Sequence, residues 1–480
     1  MKSELPRIRP CDAGIPESAL LAFLNAVESQ DLGLHSFQLV RHGAVVAEAA
    51  WEPFHADAPH VLYSLSKSFT STAIGFAVQE GLLTVEDRVA SFFPDKLPTP
   101  PCAGMADMRV RHLLTMSTGH SKEPFIFMDD DWVEAFLRSY VDLAPGSRFV
   151  YNTPATYMLS AILQRVSGQT TLDYLVPRLF APLGIEDAKW QTCPKGISTG
   201  GFGLTIRIGD IAKFGQFLLQ RGTWEGRRLL SAEWIDAATA WQVENDGGKD
   251  WSQGYGYQFW RCVPEGVYRG DGAFGQYCVV LPGQDAVFAA NSATNDMQAI
   301  LTSVWNTLLP AMGDPAAPDP VATSVLTTRL AGLTLPRPTG KTGSPLAAKV
   351  SGLRYRFGEN AFHAREISLR FGTETEVSFR TDTGAFTLPV GQGTWCEGTI
   401  VDPEAKDARE THGARYHPKV ACTGAWTDDD TYELRMAYLQ SPTQDRLVFR
   451  FEAHGVVVEY GRRFAFTTPS QVWTGILLDG

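Results

Sequence analysis

The chain has 480 residues, 44% hydrophobic and 20% charged, with a formal net charge of −11. That length exceeds one ordinary core, so two domains are expected, with the composition of a soluble globular protein. The negative charge argues against nucleic-acid binding and against adhesion to anionic lipid.

Met1 to Pro6 carries no apolar leader pattern, and no run of 18 apolar residues exists to span a membrane. The seven cysteines (Cys11, Cys102, Cys193, Cys262, Cys278, Cys396, Cys422) are odd in number and scattered, without Cys-x-x-Cys. Free thiols in a reducing cytoplasm fit that usage. No zinc-type histidine spacing and no glycine-rich phosphate loop occurs, so neither a metal nor a cofactor is expected. The expected partner is a small-molecule substrate, with no nucleic acid and no membrane; a homodimer is left open.

In chain order, Ile15 to Ser29 has helical apolar spacing. Phe37 to Val40 and Val45 to Ala50 flank a turn signal and read as a hairpin. An apolar helix-forming run follows from Val61 to Leu83, and helices are expected at Pro154 to Gly168 and Ile208 to Arg221. Tyr255 to Trp260, Val267 to Gly270 and Gln276 to Leu281 read as successive strands, and Met297 to Leu309 as a helix. The fold class is α+β. An antiparallel sheet is flanked by helices, expected on one face, with a helical lobe inserted. Residues 1–312 form this domain and Pro/Gly-rich residues 313–345 a connector. Residues 346–480 turn to period-two alternation, as in Glu433 to Tyr438 and Arg446 to Phe451, which predicts a small β-barrel or sandwich. Trp395, Trp426, Tyr432 and Phe451 are its expected core.

Chemistry concentrates at Ser64-Leu65-Ser66-Lys67. Residues i and i+3 share a helix face, so Ser64 Oγ can meet Lys67 Nζ locally. A buried lysine beside a serine can lose its proton and act as a base. The bland alternative is a polar helix start with Ser64 or Ser66 as cap.

Three further segments occur in order: Pro145-Gly146-Ser147-Arg148-Phe149-Val150-Tyr151-Asn152-Thr153, Gly200-Gly201-Phe202-Gly203-Leu204-Thr205, and Arg269-Gly270-Asp271-Gly272-Ala273-Phe274-Gly275-Gln276. With Ser64-Leu65-Ser66-Lys67 they resemble the β-lactamase-related serine hydrolases over roughly residues 10 to 312. That family includes class C β-lactamases, penicillin-binding carboxypeptidases, family VIII esterases and 6-aminohexanoate-oligomer hydrolases. The resemblance implies Ser64 as acylated nucleophile, Lys67 as its proton partner and Tyr151 as proton shuttle. A tyrosine can shuttle near neutral pH only if a cation such as Lys67 lowers its pKa. The backbone N–H groups of Ser64 and Ala273 would form the oxyanion hole. Gly270, Asp271, Gly272, Tyr255 and Phe274 would line the substrate site, with Tyr63, Tyr257 and Trp260 as further wall candidates.

Two departures from the family pattern bear on substrate. Its second motif usually reads Tyr-x-Asn, whereas Thr153 stands third here and Asn152 one place early. Its third motif usually begins with a basic residue or Trp, where this chain has Gly270 followed by Asp271. An acidic residue there would repel a substrate carboxylate. The expected activity is therefore cleavage of an ester or small amide. A β-lactamase or D-aminopeptidase-type amidase, and a non-catalytic scaffold on a retired hydrolase fold, are the alternatives. Lys341-Thr342-Gly343 spells the missing motif but lies in the connector, and reads as coincidence. His120 reads as a surface residue.

Overall fold

A computed structural model describes residues 4–100, 102–400, 418–466 and 470–478. Met1 to Ser3, part of the stretch read for a leader, lie outside them. The chain forms two compact units, one of Met1–Ala49, Pro59–Ser292 and Asp296–Ala331, the other of Ala50–Ala58, Ala293–Asn295 and Gly332–Gly480.

The first unit opens with helix α1, Glu17–Ser29, and strands β1, Leu34–Arg41, and β2, Ala44–Ala50. The helical lobe follows, with α2 at Ser66–Gln79, α3 at Thr153–Ser167 and α4 at Ile208–Leu219. Strands β3, Trp260–Arg261, β4, Tyr268–Gly272, β5, Gln276–Leu281, and β6, Ala286–Ser292, then complete a sheet in the order β2-β1-β6-β5-β4-β3. Helix α5, Met297–Ser303, passes into a π-turn at Val304–Leu308 where one continuous helix was expected. Helix α6, Pro320–Ala331, lies within the expected connector and belongs to this unit.

Three sequence expectations are corrected here. The sheet carries helices on both faces. Phe23 of α1 meets Phe37 and Phe288 at 5.5 Å each, while Gly215 of α4 lies against Val287 and Cys278, which point to the opposite face. All eight residues of β1 and all seven of β6 are buried, the near-continuous burial of a strand covered twice. Strand β6 itself, Ala-Val-Phe-Ala-Ala-Asn-Ser, was not anticipated because Ala and Asn have weak strand preference. It nevertheless sits between β1 and β5. Finally, only Trp260 of Tyr255 to Trp260 lies in a strand, β3, and a turn stands before it where a strand was expected. Gly256 N–H donates to Phe259 O at 2.8 Å, and Gln258 has φ 66°. Gln258 pins this turn by accepting from Thr156 Oγ1 at 2.6 Å and donating to Leu114 O at 2.8 Å.

The second unit is a barrel of β7, Arg354–Arg356, β8, Ala364–Arg370, β9, Thr375–Thr381, β10, Ala385–Gln392, β11, Cys396–Thr399, β12, Lys419–Trp426, β13, Thr431–Tyr438, β14, Gln444–Glu452, β15, Gly455–Arg463, and β16, Ser470–Leu477. A parallel pairing of β10 with β12 closes the ten-stranded sheet, leaving β11 beside a ring of nine. Closure removes free sheet edges. Trp426, Tyr432 and Phe451 belong to the core, whereas Trp395 is half-buried in the β10–β11 loop. Within the barrel, Asp445 accepts two bonds from Arg462 at 2.8 Å, one from Tyr438 at 2.7 Å and one from Tyr460 at 3.1 Å.

Two glycines of β4 let the strand press on the turn before α2. A Cβ on Gly270 would stand 2.4 Å from Ser68 Oγ, and one on Gly272 would stand 2.1 Å from Leu62 O. Leu62 O is backbone and cannot swing aside. Gly272→Ala should therefore lower the urea midpoint by the equivalent of roughly 1–3 kcal/mol, while Gly283→Ala, with open space around it, should not. Equal midpoints would refute the close approach. Asp445→Asn leaves the Arg462 charge uncompensated and should cost about 3–5 kcal/mol in the same measurement; a change under about 1 kcal/mol would contradict the network.

Candidate active site

Ser64 lies in a single 3-10 turn, Tyr63–Leu65, that leads into α2. It is half-buried, and Tyr63 before it has φ 46°, a strained value for a bulky residue. Lys67 is 2% exposed. Its Nζ donates to Ser64 Oγ at 3.1 Å, to Gly201 O at 2.8 Å and to Thr153 Oγ1 at 3.4 Å. Burial pulls its pKa down to about 7, with Glu123 and Asp271 opposing. The cap reading fails for Ser66, whose Oγ accepts from Leu204 N–H at 3.1 Å.

The glycine-rich segment is fastened to α2 by that bond, by Lys67 to Gly201, and by Thr70 Oγ1 to Gly200 O at 2.8 Å. Its glycines are needed for closeness. A Cβ on Gly201 would meet Thr153 Cγ2 at 2.7 Å and Lys67 Nζ at 3.3 Å.

Tyr151 precedes α3. Its hydroxyl lies near Ser64, and its ring lies 5.0 Å from Lys67 Nζ and stacks on Trp260 at 5.6 Å. Burial pushes its pKa up, and Asp271 adds to that. This corrects the expectation of a lowered tyrosine pKa. In the resting site the lysine is the group poised to be neutral, and Tyr151 keeps its proton.

Asn152 is the N-cap of α3, accepting from Ala155 N–H at 3.0 Å, and so does not project toward Ser64. It also donates to Thr118 Oγ1, which bonds His120 Nδ1 at 2.8 Å; His120 Nε2 bonds Ser139 Oγ at 2.8 Å. His120 is thus 2% exposed, not a surface residue, and burial lowers its pKa to about 4. Polar partners on both ring nitrogens allow a histidine to be interior.

On β4, Gly270 and Gly272 face the Ser64 turn, whereas Asp271 and Arg269 share the other face and form a buried pair at 2.9 Å. Trp260 lies near Asp271. Ala273 begins the turn between β4 and β5, followed by Phe274 at φ 65°, whose ring meets Tyr63 edge-on at 5.6 Å. Tyr255 is 1% exposed and packs behind Trp260 at 4.7 Å, so it supports the wall without forming its surface. Tyr257 packs on Trp234. Lys341 bonds Trp426 O and Asp429 in the barrel unit and is not part of the β4 sheet.

Sequence reasoning missed three contributors. Gly201 acts through a backbone carbonyl, which no side-chain pattern reveals. Arg269 was inside the quoted segment but was not paired with Asp271, although i and i+2 share a strand face. Glu123, on an irregular segment, accepts from Thr153 N–H at 2.6 Å and had no motif to mark it.

Comparison with known proteins fits this geometry. A 6-aminohexanoate-dimer hydrolase of Paenarthrobacter ureafaciens is 24% identical over 287 residues, 54% of this chain and 73% of the relative. Penicillin-binding protein 4 of Amycolatopsis lactamdurans is 23% identical over 358 residues, covering 64% of this chain and 88% of the relative. The octameric penicillin-binding protein homologue from Pyrococcus abyssi superposes over 95% of this chain and 99% of its own, with TM-score 0.51 and 17% identity, a likeness of fold. The Beta-lactamase family model matches residues 27–305, more than half the chain, and the protein belongs to the Beta-lactamase family of serine hydrolases.

Proposed function

We propose that the protein cleaves an ester or small amide through an acyl-enzyme on Ser64. The observation that carries this reading is the 3.1 Å bond between Lys67 Nζ and Ser64 Oγ, with the lysine buried. As Ser64 Oγ bonds to the substrate carbonyl carbon, its proton passes to Lys67. The carbonyl oxygen becomes an oxyanion held by the N–H groups of Ser64 and Ala273. Tyr151, near Ser64 and still protonated, donates to the departing alcohol or amine and recovers a proton from Lys67. Water then attacks the acyl carbonyl and regenerates Ser64.

A substrate without a carboxylate near β4 is supported by the absence of a basic side chain at Gly270; Asp271, paired with Arg269 on the other face of the strand, is not the group that decides this. A β-lactamase or D-aminopeptidase-type amidase is the nearest alternative. A retired scaffold has no physical need to keep a neutralised lysine on a serine.

A panel of p-nitrophenyl esters and nitrocefin tests the reading. Wild type should turn over esters and be labelled by a fluorophosphonate, and Ser64→Ala should lose both while keeping its circular dichroism. Fast nitrocefin turnover would redirect the assignment to a β-lactamase, and full ester activity in Ser64→Ala would sink it. The pH profile follows from Lys67. Its working form is the deprotonated one, present above about pH 7 and lost as pH falls through that value. Ester kcat/KM should rise about tenfold per pH unit below the lysine pKa and level off above it; a profile flat from pH 5 to 8 would exclude Lys67 as the base.

A further inference from the structure

The turn that carries Ala273 is held by two buried side chains that take no part in the proton transfers. It runs from Gly272 to Gly275 and is closed by Gly275 N–H donating to Gly272 O at 3.1 Å. Its third residue, Phe274, has φ 65°, at a place where such turns favour glycine. A bulky residue keeps that conformation only when its surroundings impose it.

The surroundings do so through the carbonyls. Gln276 Nε2 donates to Ala273 O at 3.1 Å and to Ser292 O at 2.8 Å. Ser292 Oγ shares its one proton between Phe274 O at 2.8 Å and Gly275 O at 2.9 Å. Three successive carbonyls of the turn are thus tied to the sheet. Gln276 opens β5 and Ser292 closes β6, and both are 0% exposed. Gln276 Oε1 is buried and has no hydrogen-bond partner among the described residues. A buried acceptor left unpaired costs stability. Turning the amide over would set Oε1 against two carbonyl oxygens, so the donor orientation is the one that the site selects.

We propose that Gln276 and Ser292 are positioning residues for the oxyanion hole: by holding the carbonyls of the turn they fix where Ala273 N–H points. A donor stabilises a developing oxyanion fully only when its direction is set beforehand. The inference rests on the acyl-enzyme reading above and deepens it, naming what aims one of its two donors.

A ligand that forms the oxyanion, compared with one that does not, tests it. Ser64 Oγ bonds to the carbonyl carbon of butyl trifluoromethyl ketone, the π pair moves to oxygen, and the serine proton passes to Lys67. The corresponding secondary alcohol has no carbonyl to attack. Activity on p-nitrophenyl butanoate is counted per working site, taken from the final extent of fluorophosphonate labelling. Ser292→Ala should lose about tenfold in kcat/KM per labelled site. Its affinity for the ketone should fall by a similar factor, and for the alcohol by about twofold at most. Gln276→Leu should behave likewise. Ser292→Cys, which keeps a weaker donor, should lie between wild type and Ser292→Ala. Where Gln276→Leu does not fold, the two Ser292 variants decide.

Equal losses for ketone and alcohol, or fewer labelled sites with an unchanged kcat/KM per site, would show that the pair serves only the fold. If wild type is labelled and Ser292→Ala keeps the wild-type preference for the ketone, positioning alone fails. If wild type takes no label and does not bind the ketone, the hydrolase reading fails and carries this inference with it.

Discussion

The burial of Lys67 is the constraint on which the site depends. Its three hydrogen-bond partners are a hydroxyl, a second hydroxyl and a carbonyl, none of them a carboxylate. An ammonium held this way is poorly compensated, and burial therefore favours the neutral amine. Everything near it serves that condition. The glycine-rich segment must run close enough for Gly201 O to orient Nζ, and α2 holds it there through Ser66 and Thr70. A side chain at Gly201 would push the segment off both Thr153 and the lysine.

The third motif illustrates how a basic residue can be present without being in the site. Arg269 is fully buried, one position before Gly270, and its guanidinium binds Asp271, Asp250 O and Arg261 O. On a strand that single step places it on the opposite face. The Arg269 guanidinium lies over the Trp260 ring at 5.8 Å, and Tyr151 stacks on that same ring. The charge of Asp271 is meanwhile matched by Arg269. Burial, with Asp271 adding to it, raises the Tyr151 pKa.

Legibility in the sequence follows the range of each interaction. Ser64 and Lys67 were readable because a helical i, i+3 spacing brings them together without help. The barrel was readable because half-buried strands alternate, as buried Val377 and Phe379 do with Glu376, Ser378 and Arg380. Strand β6 was not, since a strand covered on both faces loses alternation and its alanines resemble a helix or a loop. The turn before Trp260 was hidden because Gly256 and Gln258 break an otherwise strand-like run, and the bonds that fix Gln258 come from α3 and the chain at Leu114. His120 was misjudged for the same reason: its partners, Thr118 and Ser139, meet it only in the fold.

Backbone strain completes the picture. Tyr63 and Phe274 both hold positive φ, at 46° and 65°, which costs roughly 1–3 kcal/mol each for residues of this bulk. They sit immediately before Ser64 and immediately after Ala273, the two residues proposed as oxyanion donors. Their rings meet edge-to-face at 5.6 Å, an interaction worth about 0.5–1.5 kcal/mol beyond burial. That contact offsets only part of the strain, so the surrounding packing, with β4 pressed on Leu62 through Gly272, must hold the rest. On the proposed acyl-enzyme route, that packing would fix the N–H groups of Ser64 and Ala273 relative to one another before substrate arrives, which is what stabilising a developing oxyanion requires.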